Sequence, residues 1–195
     1  TYLEIQNAYM KEANVTYTRV PMQSIPRLVQ LCEDNSMNSL EEITAFIQTT
    51  LAEQASYSQT PGLFPLNEDP VEYFLFDSRE GYCQHFASAA VLMYRLYGVP
   101  ARYVTGYAVS PEDFQEQEDG GYQANVTDAS AHAWPEIFLE DQGWTPVEVT
   151  PGNIDVVTSN HGLDADLLDQ AFENGNWNLN VFQNRLDSET QREGA

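Results

Sequence analysis

Basic residues are scarce in this chain: 8 lysines and arginines stand against 30 aspartates and glutamates, a net charge of −22. Such a balance repels polyanions, which excludes nucleic acid and anionic membrane surfaces as direct partners, and most of the acids read as a solvated surface. The acids are scattered, and no D-x-[DN]-x-[DN]-G calcium loop occurs among them. Cysteine is nearly absent. Cys32 and Cys83 are too few for a disulfide scaffold, although a single Cys32–Cys83 pair stays open. No run of 18 apolar residues exists to span a bilayer, and no signal peptide is visible. The first residue is Thr1 and not Met, as expected of a segment excised from a longer chain, so membrane attachment is expected only through such a parent chain.

What is present suits one compact domain with a real core: 195 residues, 42% hydrophobic and 12% aromatic, a content that argues against disorder. Two N-glycosylation sequons, Asn14-Val15-Thr16 and Asn125-Val126-Thr127, are patterns that arise often by chance.

Residues 1–22 have mixed periodicity and read as a peripheral lead-in. Helices are expected over 24–34 and 39–54. The second opens with an S-x-x-E capping box at Ser39 and Glu42 and continues with Leu40, Ile43, Phe46, Ile47 and Leu51 at helical spacing. Residues 55–70, centred on Thr60-Pro61-Gly62, read as a loop. The clearest helix is 83–97, where Phe86, Ala89, Ala90, Met93 and Tyr97 form one buried face, Gly98 suits a left-handed cap and Pro100 blocks continuation. A strand follows at 101–109, an exposed acidic loop at 110–121, and strands at 122–128, 131–139 and 144–149, the last two joined by a hairpin. Beyond Pro151-Gly152 the chain turns polar, with a helix at 162–173 and a loose tail at 174–195. Helices followed by antiparallel strands give an α+β class. The expected organisation is an N-terminal helical region at 1–56, a catalytic core at 57–152 and an acidic extension at 153–195.

Three residues carry candidate chemistry. Cys83 follows Gly81-Tyr82 and opens the long helix, where free N–H groups and partial positive charge favour a thiolate and can face a developing oxyanion. A buried structural cysteine is the alternative. His132 lies in Ser130-Ala-His-Ala-Trp134, whose small residues leave room for an imidazole. Alternation puts His132, Trp134, Glu136 and Phe138 on one face. Glu148 stands in an otherwise apolar strand, where a carboxylate needs a partner, and His132 is the attractive one. With a turn at Asp141-Gln142-Gly143 the two share a face but stand four residues apart along the ladder, so a different loop or a bulge is needed and the register stays open. His85 reads as a wall or surface residue. Zinc held by Cys83, His85 and His132 is a weak alternative, because C-x-H is not a usual ligand spacing, and His161 receives no role.

Gly81-Tyr-Cys-Gln-His-Phe-Ala-Ser-Ala-Ala-Val-Leu-Met-Tyr-Arg-Leu-Tyr-Gly-Val-Pro-Ala-Arg-Tyr-Val-Thr-Gly-Tyr107 resembles the nucleophile segment of the transglutaminase-like superfamily. Ala131-His-Ala-Trp134 resembles its histidine segment and Trp144-Thr-Pro-Val-Glu-Val-Thr-Pro151 its third segment, in the family order. Phe74-Leu-Phe-Asp-Ser-Arg79 resembles bacterial members, and the likeness covers about residues 57–152. The resemblance implies a papain-like, transglutaminase-like fold with the nucleophile helix packed on an antiparallel sheet, and a triad of Cys83, His132 and Glu148, with Glu148 where the family usually has aspartate. Tyr82, Gln84 and Trp134 are expected to bind substrate or wall the site. Pro135, where alanine is usual, is expected at a sheet edge or bulge, because proline gives the ladder no donor.

The implied activity is thiol-dependent acyl transfer or hydrolysis at peptide or glutamine-type amides. Hydrolysis is preferred because nothing specifies an amine site. The expected partner is a peptide or protein substrate, with no nucleic acid, no metal and no cofactor. Alternatives are a cross-linking transglutaminase and a non-catalytic peptide-binding module that keeps the fold. Bacterial members of the family imply an extracytoplasmic, soluble domain of a membrane-anchored protein.

Overall fold

A computed structural model describes residues 2–140 and 142–152. The expected helix at 162–173 and the tail at 174–195 lie outside these residues. The elements run α1 (Tyr2–Thr16), α2 (Pro26–Glu33), α3 (Leu40–Gln54), β1 (Ser56–Tyr57), α4 (Pro70–Glu72), β2 (Glu80–Gly81), α5 (Cys83–Leu96), β3 (Ala101–Tyr107), β4 (Gln115–Glu116), β5 (Tyr122–Gln123), β6 (Ala131–Leu139) and β7 (Gly143–Pro146). The class is α+β, as expected: helices lead, and a three-stranded antiparallel sheet ordered β3-β6-β7 follows.

Helix boundaries follow local chemistry. The Ser39 side chain accepts the Glu42 N–H at 3.1 Å, while Glu42 reaches back to the N–H of Asn38, one residue earlier than a strict capping box. At the far end of α5, Gly98 takes φ +80°. The N–H of Val99 bonds the Tyr94 carbonyl and that of Gly98 the Arg95 carbonyl, the paired bonds of a Schellman cap. The chain can then reverse into β3. The apolar faces read from spacing are in the core: Phe86, Ala89, Ala90 and Met93 are fully enclosed with Leu40, Ile43, Ile47 and Leu51 of α3 and Ile137 of β6.

Four expectations are refined or corrected. Residues 2–16, within the expected peripheral lead-in, form the helix α1, which packs on the sheet. Met10 and Ala13 pack on Phe138, Tyr17 meets Trp144 edge-on at 4.7 Å, and the Trp144 indole donates to the Tyr9 hydroxyl. The sheet is thereby covered on both faces, with α3 and α5 on one side and α1 on the other. Residues 55–70 are not all loop: Ser56 and Tyr57 pair in parallel with Glu80 and Gly81. The strand expected at 122–128 shrinks to Tyr122–Gln123, paired with Gln115–Glu116 inside the expected loop. Its remaining β-formers, Val126 and Thr127, lie on an exposed stretch with no sheet to join. Lastly, Pro135 sits in the central strand, opposite Tyr103. Its carbonyl accepts the N–H of Val147. A strand residue's N–H and C=O point to the same neighbour, so the missing donor falls just past Pro146, where the β6–β7 ladder has ended.

Candidate active site

Cys83 is the first residue of α5, and its side chain is partly exposed. Gly81 stands before it in a tight seat: a Cβ there would lie 2.7 Å from Phe74 Cε2 and 2.9 Å from His85 Cβ. The N–H groups of Cys83 and Gln84, in the first turn, have no intrahelical acceptor. Both cysteines are free thiols, so the Cys32–Cys83 pair does not form. Cys32 is buried in α2, and burial pushes its thiol up to about 12.

His132 stands near the start of β6, opposite Gly106 of β3. Its Nε2 lies 2.6 Å from Glu148 Oε2. The hairpin loop is 140–142, because Leu139 pairs with Gly143. Carried past the ladder by the Val147-to-Pro135 bond, this register sets Glu148 two residues from His132 and not four, within reach of a diagonal contact. Glu148 itself is 1% exposed. Its other oxygen, Oε1, accepts the N–H groups of Val149 at 2.9 Å and Thr150 at 2.8 Å, and Gln48 of α3 holds its backbone carbonyl. Burying a carboxylate costs several kcal/mol unless it is paired. Here two backbone donors and an imidazole satisfy it. An ionised carboxylate accepts only, so the proton between the two groups sits on Nε2, and in the neutral ring Nδ1 is then the atom with a lone pair.

A cleft of about 320 Å³ joins the two segments. It is lined by Cys83, Gln84 and Tyr82 from the helix start, Thr105 and Gly106 from β3, Ala131, His132 and Ala133 from β6, and Tyr57 and Gln59. A second opening of about 190 Å³ shares Tyr57, Ala131 and His132 and is bounded by Ser110, Ser130 and Glu148. The imidazole thus lies between a thiol-lined space and a carboxylate-lined one. Among the described residues the thiol makes no hydrogen bond to the imidazole, and unliganded sites commonly tighten such contacts only around substrate. Among the same residues no cluster of three His, Cys, Asp or Glu side chains could hold a metal ion.

The remaining expected site residues divide. Tyr82 and Gln84 line the cleft with Cys83. Trp134 does not line it; the indole stacks beside His132, with centroids 6.0 Å apart and planes at 22°. Gly106 makes room for that indole, since a Cβ would meet Trp134 Cη2 at 2.8 Å. A glycine inside a run of β-formers was the available signal for Gly106. Tyr57, Gln59 and Thr105 had no comparable signal, and Tyr57 reaches the cleft only through its pairing with Gly81. His85, read as a wall or surface residue, is half-buried, with its ring packed among Phe64, Phe74 and Tyr82.

The family model described as the transglutaminase-like superfamily core matches residues 27–149. Among curated proteins, the chain is 36% identical over 126 residues to the protein YebA of Bacillus subtilis (strain 168), covering 64% of this chain and 17% of that one. It is 32% identical over 135 residues to a protein-glutamine gamma-glutamyltransferase of Pseudomonas aeruginosa, covering 68% of this chain and 19% of that one. The chain therefore spans less than a fifth of the length of either relative. Among solved structures, the periplasmic domain of TgpA from Pseudomonas aeruginosa matches with a TM-score of 0.57 at 27% identity, over 84% of this chain and 52% of that one. The same domain bound to ethylmercury matches with a TM-score of 0.56 at 29% identity, over 71% and 48%.

Proposed function

The chain belongs to the transglutaminase-like superfamily, and on that premise we propose that it is an acyl-transfer enzyme in which Cys83 is the nucleophile, His132 its base and Glu148 the group that orients the imidazole. The observation that carries this reading is the buried 2.6 Å contact between His132 and Glu148, on an imidazole that opens onto the same cleft as the Cys83 thiol.

With the Nε2 proton committed to Glu148, Nδ1 takes the proton of Cys83 Sγ. The thiolate attacks an amide carbonyl carbon, and the N–H groups of Cys83 and Gln84 hold the oxyanion. The imidazolium, stabilised by Glu148, gives its proton to the departing nitrogen as the C–N bond breaks and a thioester forms. Water then gives a proton to Nδ1 and attacks the thioester; the C–S bond breaks, the imidazolium returns that proton to the Cys83 sulfur and the acid product leaves. Hydrolysis is the primary reading, since the cleft is open to solvent. A second reading has a primary amine in place of water. It is supported by the relative named as a protein-glutamine gamma-glutamyltransferase. An extracytoplasmic position, as part of a membrane-anchored protein, is proposed from the likeness to a periplasmic domain.

The test offers glutamine-containing peptides with and without a labelled primary amine, and reads peptide cleavage, ammonia release and amine incorporation in parallel. Cys83→Ala is expected to lose every signal. A signal that persists in Cys83→Ala removes the sulfur from the mechanism. Incorporation outpacing hydrolysis at millimolar amine selects the second reading.

A further inference from the structure

His85 takes no part in the chemistry above, yet its Nδ1 accepts the backbone N–H of Tyr82 at 3.1 Å. A donor aimed at Nδ1 requires a lone pair there, so the ring is neutral and carries its proton on Nε2. The ring is stacked on Phe64 at 4.9 Å and 14°, tilted on Phe74 at 5.5 Å, and edge-on to Tyr82 at 4.4 Å. Its seat exists because Gly81 lacks a side chain. Each contact comes from a different segment of the chain, and of the three only Tyr82 lines the cleft itself. Phe64 lies in the segment that leaves the cleft at Tyr57 and Gln59, Phe74 lies just after α4, and Tyr82 directly precedes the thiol.

We propose that His85 is a positioning residue for Cys83: as a neutral acceptor it closes the turn that presents the thiol and pins the 58–69 segment, and its protonation releases both. The proposal concerns thiol reactivity, and its bearing on catalysis rests on Cys83 being the nucleophile. The groups that face the ring are apolar apart from the Tyr82 phenol; Tyr73 stands behind Phe64, and the Cys83 thiol is two residues away. Burial lowers the imidazole below its ordinary range, and no charged side chain contributes to the shift. A lowered base is neutral at and above neutral pH and gains its proton only in acid. The positioning is therefore present at neutral pH and lost as pH falls through the lowered value.

The test measures iodoacetamide labelling of Cys83 from about pH 5 to pH 8 in the unaltered protein, His85→Asn and His85→Ala. Asparagine keeps an acceptor near the place of Nδ1 and does not titrate. His85→Ala is expected to label about three- to tenfold more slowly at neutral pH, and His85→Asn to restore most of the rate. The ratio of the unaltered protein to His85→Asn cancels the thiol's own titration; it is expected to be level near neutrality and to fall in acid. Protection of the Tyr82 amide against hydrogen exchange, corrected for intrinsic rates, is expected to fall over the same range in the unaltered protein. Labelling of His85→Ala at the unaltered rate, or a ratio that stays level into acid, overturns the proposal. If His85→Ala does not fold, the ratio and the Tyr82 amide decide alone. Absence of turnover in the unaltered protein would sink the enzymatic reading and leave these measurements standing.

Discussion

At the scale of single residues, the proposed mechanism gives Glu148 two tasks that variants can separate. Glu148→Gln keeps the shape but removes the charge that stabilises the imidazolium. It also makes the tautomer ambiguous, and kcat is expected to fall by two to four orders of magnitude. Glu148→Ala strips the acceptor from Val149 and Thr150 as well, leaving buried donors unsatisfied at about 1–3 kcal/mol each, which urea denaturation would read. Glu148→Asp, which restores the residue usual in the family, is one methylene too short to keep both the 2.6 Å contact to His132 and the two backbone bonds. It is expected to be impaired, not improved, measured as kcat/KM. The two thiols separate as cleanly. Cys32, with its pKa pushed up to about 12 by burial, is protonated and enclosed at pH 8. One equivalent of iodoacetamide should enter the folded chain and a second only in denaturant, counted by mass spectrometry.

At the scale of elements, Gly106→Ala is the informative change. Its Cβ would overlap the Trp134 indole, forcing a ring that stacks on His132 to move. A cost of about 1–3 kcal/mol is expected, seen as a drop in Tm with a disproportionate loss of kcat. The same contrast explains what could be read in advance. Helix α5 was legible because its periodicity, Gly98 and Pro100 agree with one another. Glu148 stood out because a carboxylate in an apolar strand needs a partner, whereas Cys83 and His132 were singled out by a helix start, by small neighbours and by the family resemblance. The contact of His132 with Glu148 was not legible. It depends on whether the hairpin loop is 140–142 or 141–143, a one-residue choice that local turn chemistry does not make. Pro135 misled because a missing donor normally marks an edge, whereas here it coincides with the end of a ladder. The cleft's Tyr57 was hidden for a related reason: a two-residue parallel pairing leaves no periodic trace.

At the scale of the whole molecule, charge and burial set the response to solvent. With a net charge of −22 the folded chain repels itself, so Tm is expected to rise as salt increases from about 0.01 M to 0.15 M. Cys32, Tyr94 and Tyr97 have their acid groups pushed up chiefly by burial in the core between α2, α3 and α5. Groups raised in the folded state stabilise it fully below their unfolded values of about 8.5 for Cys and 10 for Tyr, and that stability is lost as pH rises beyond them. Stability measured against pH is expected to decline above about 9, more gently in Cys32→Ala.

Helix α5 and strand β3 also act together as a measuring device. The 14 residues of the helix carry the chain about 21 Å away from Cys83. After the Gly98 turn, the residues from Ala101 to Gly106 bring it back about 20 Å. The outward and return legs match, so Thr105 and Gly106 arrive beside the sulfur from which the path set out. The breadth of the cleft is thus an arithmetic property of two lengths. Lengthening the helix by one turn would slide the sulfur about 5.4 Å past its opposite wall, and deleting one strand residue would exchange the faces of Thr105 and Gly106.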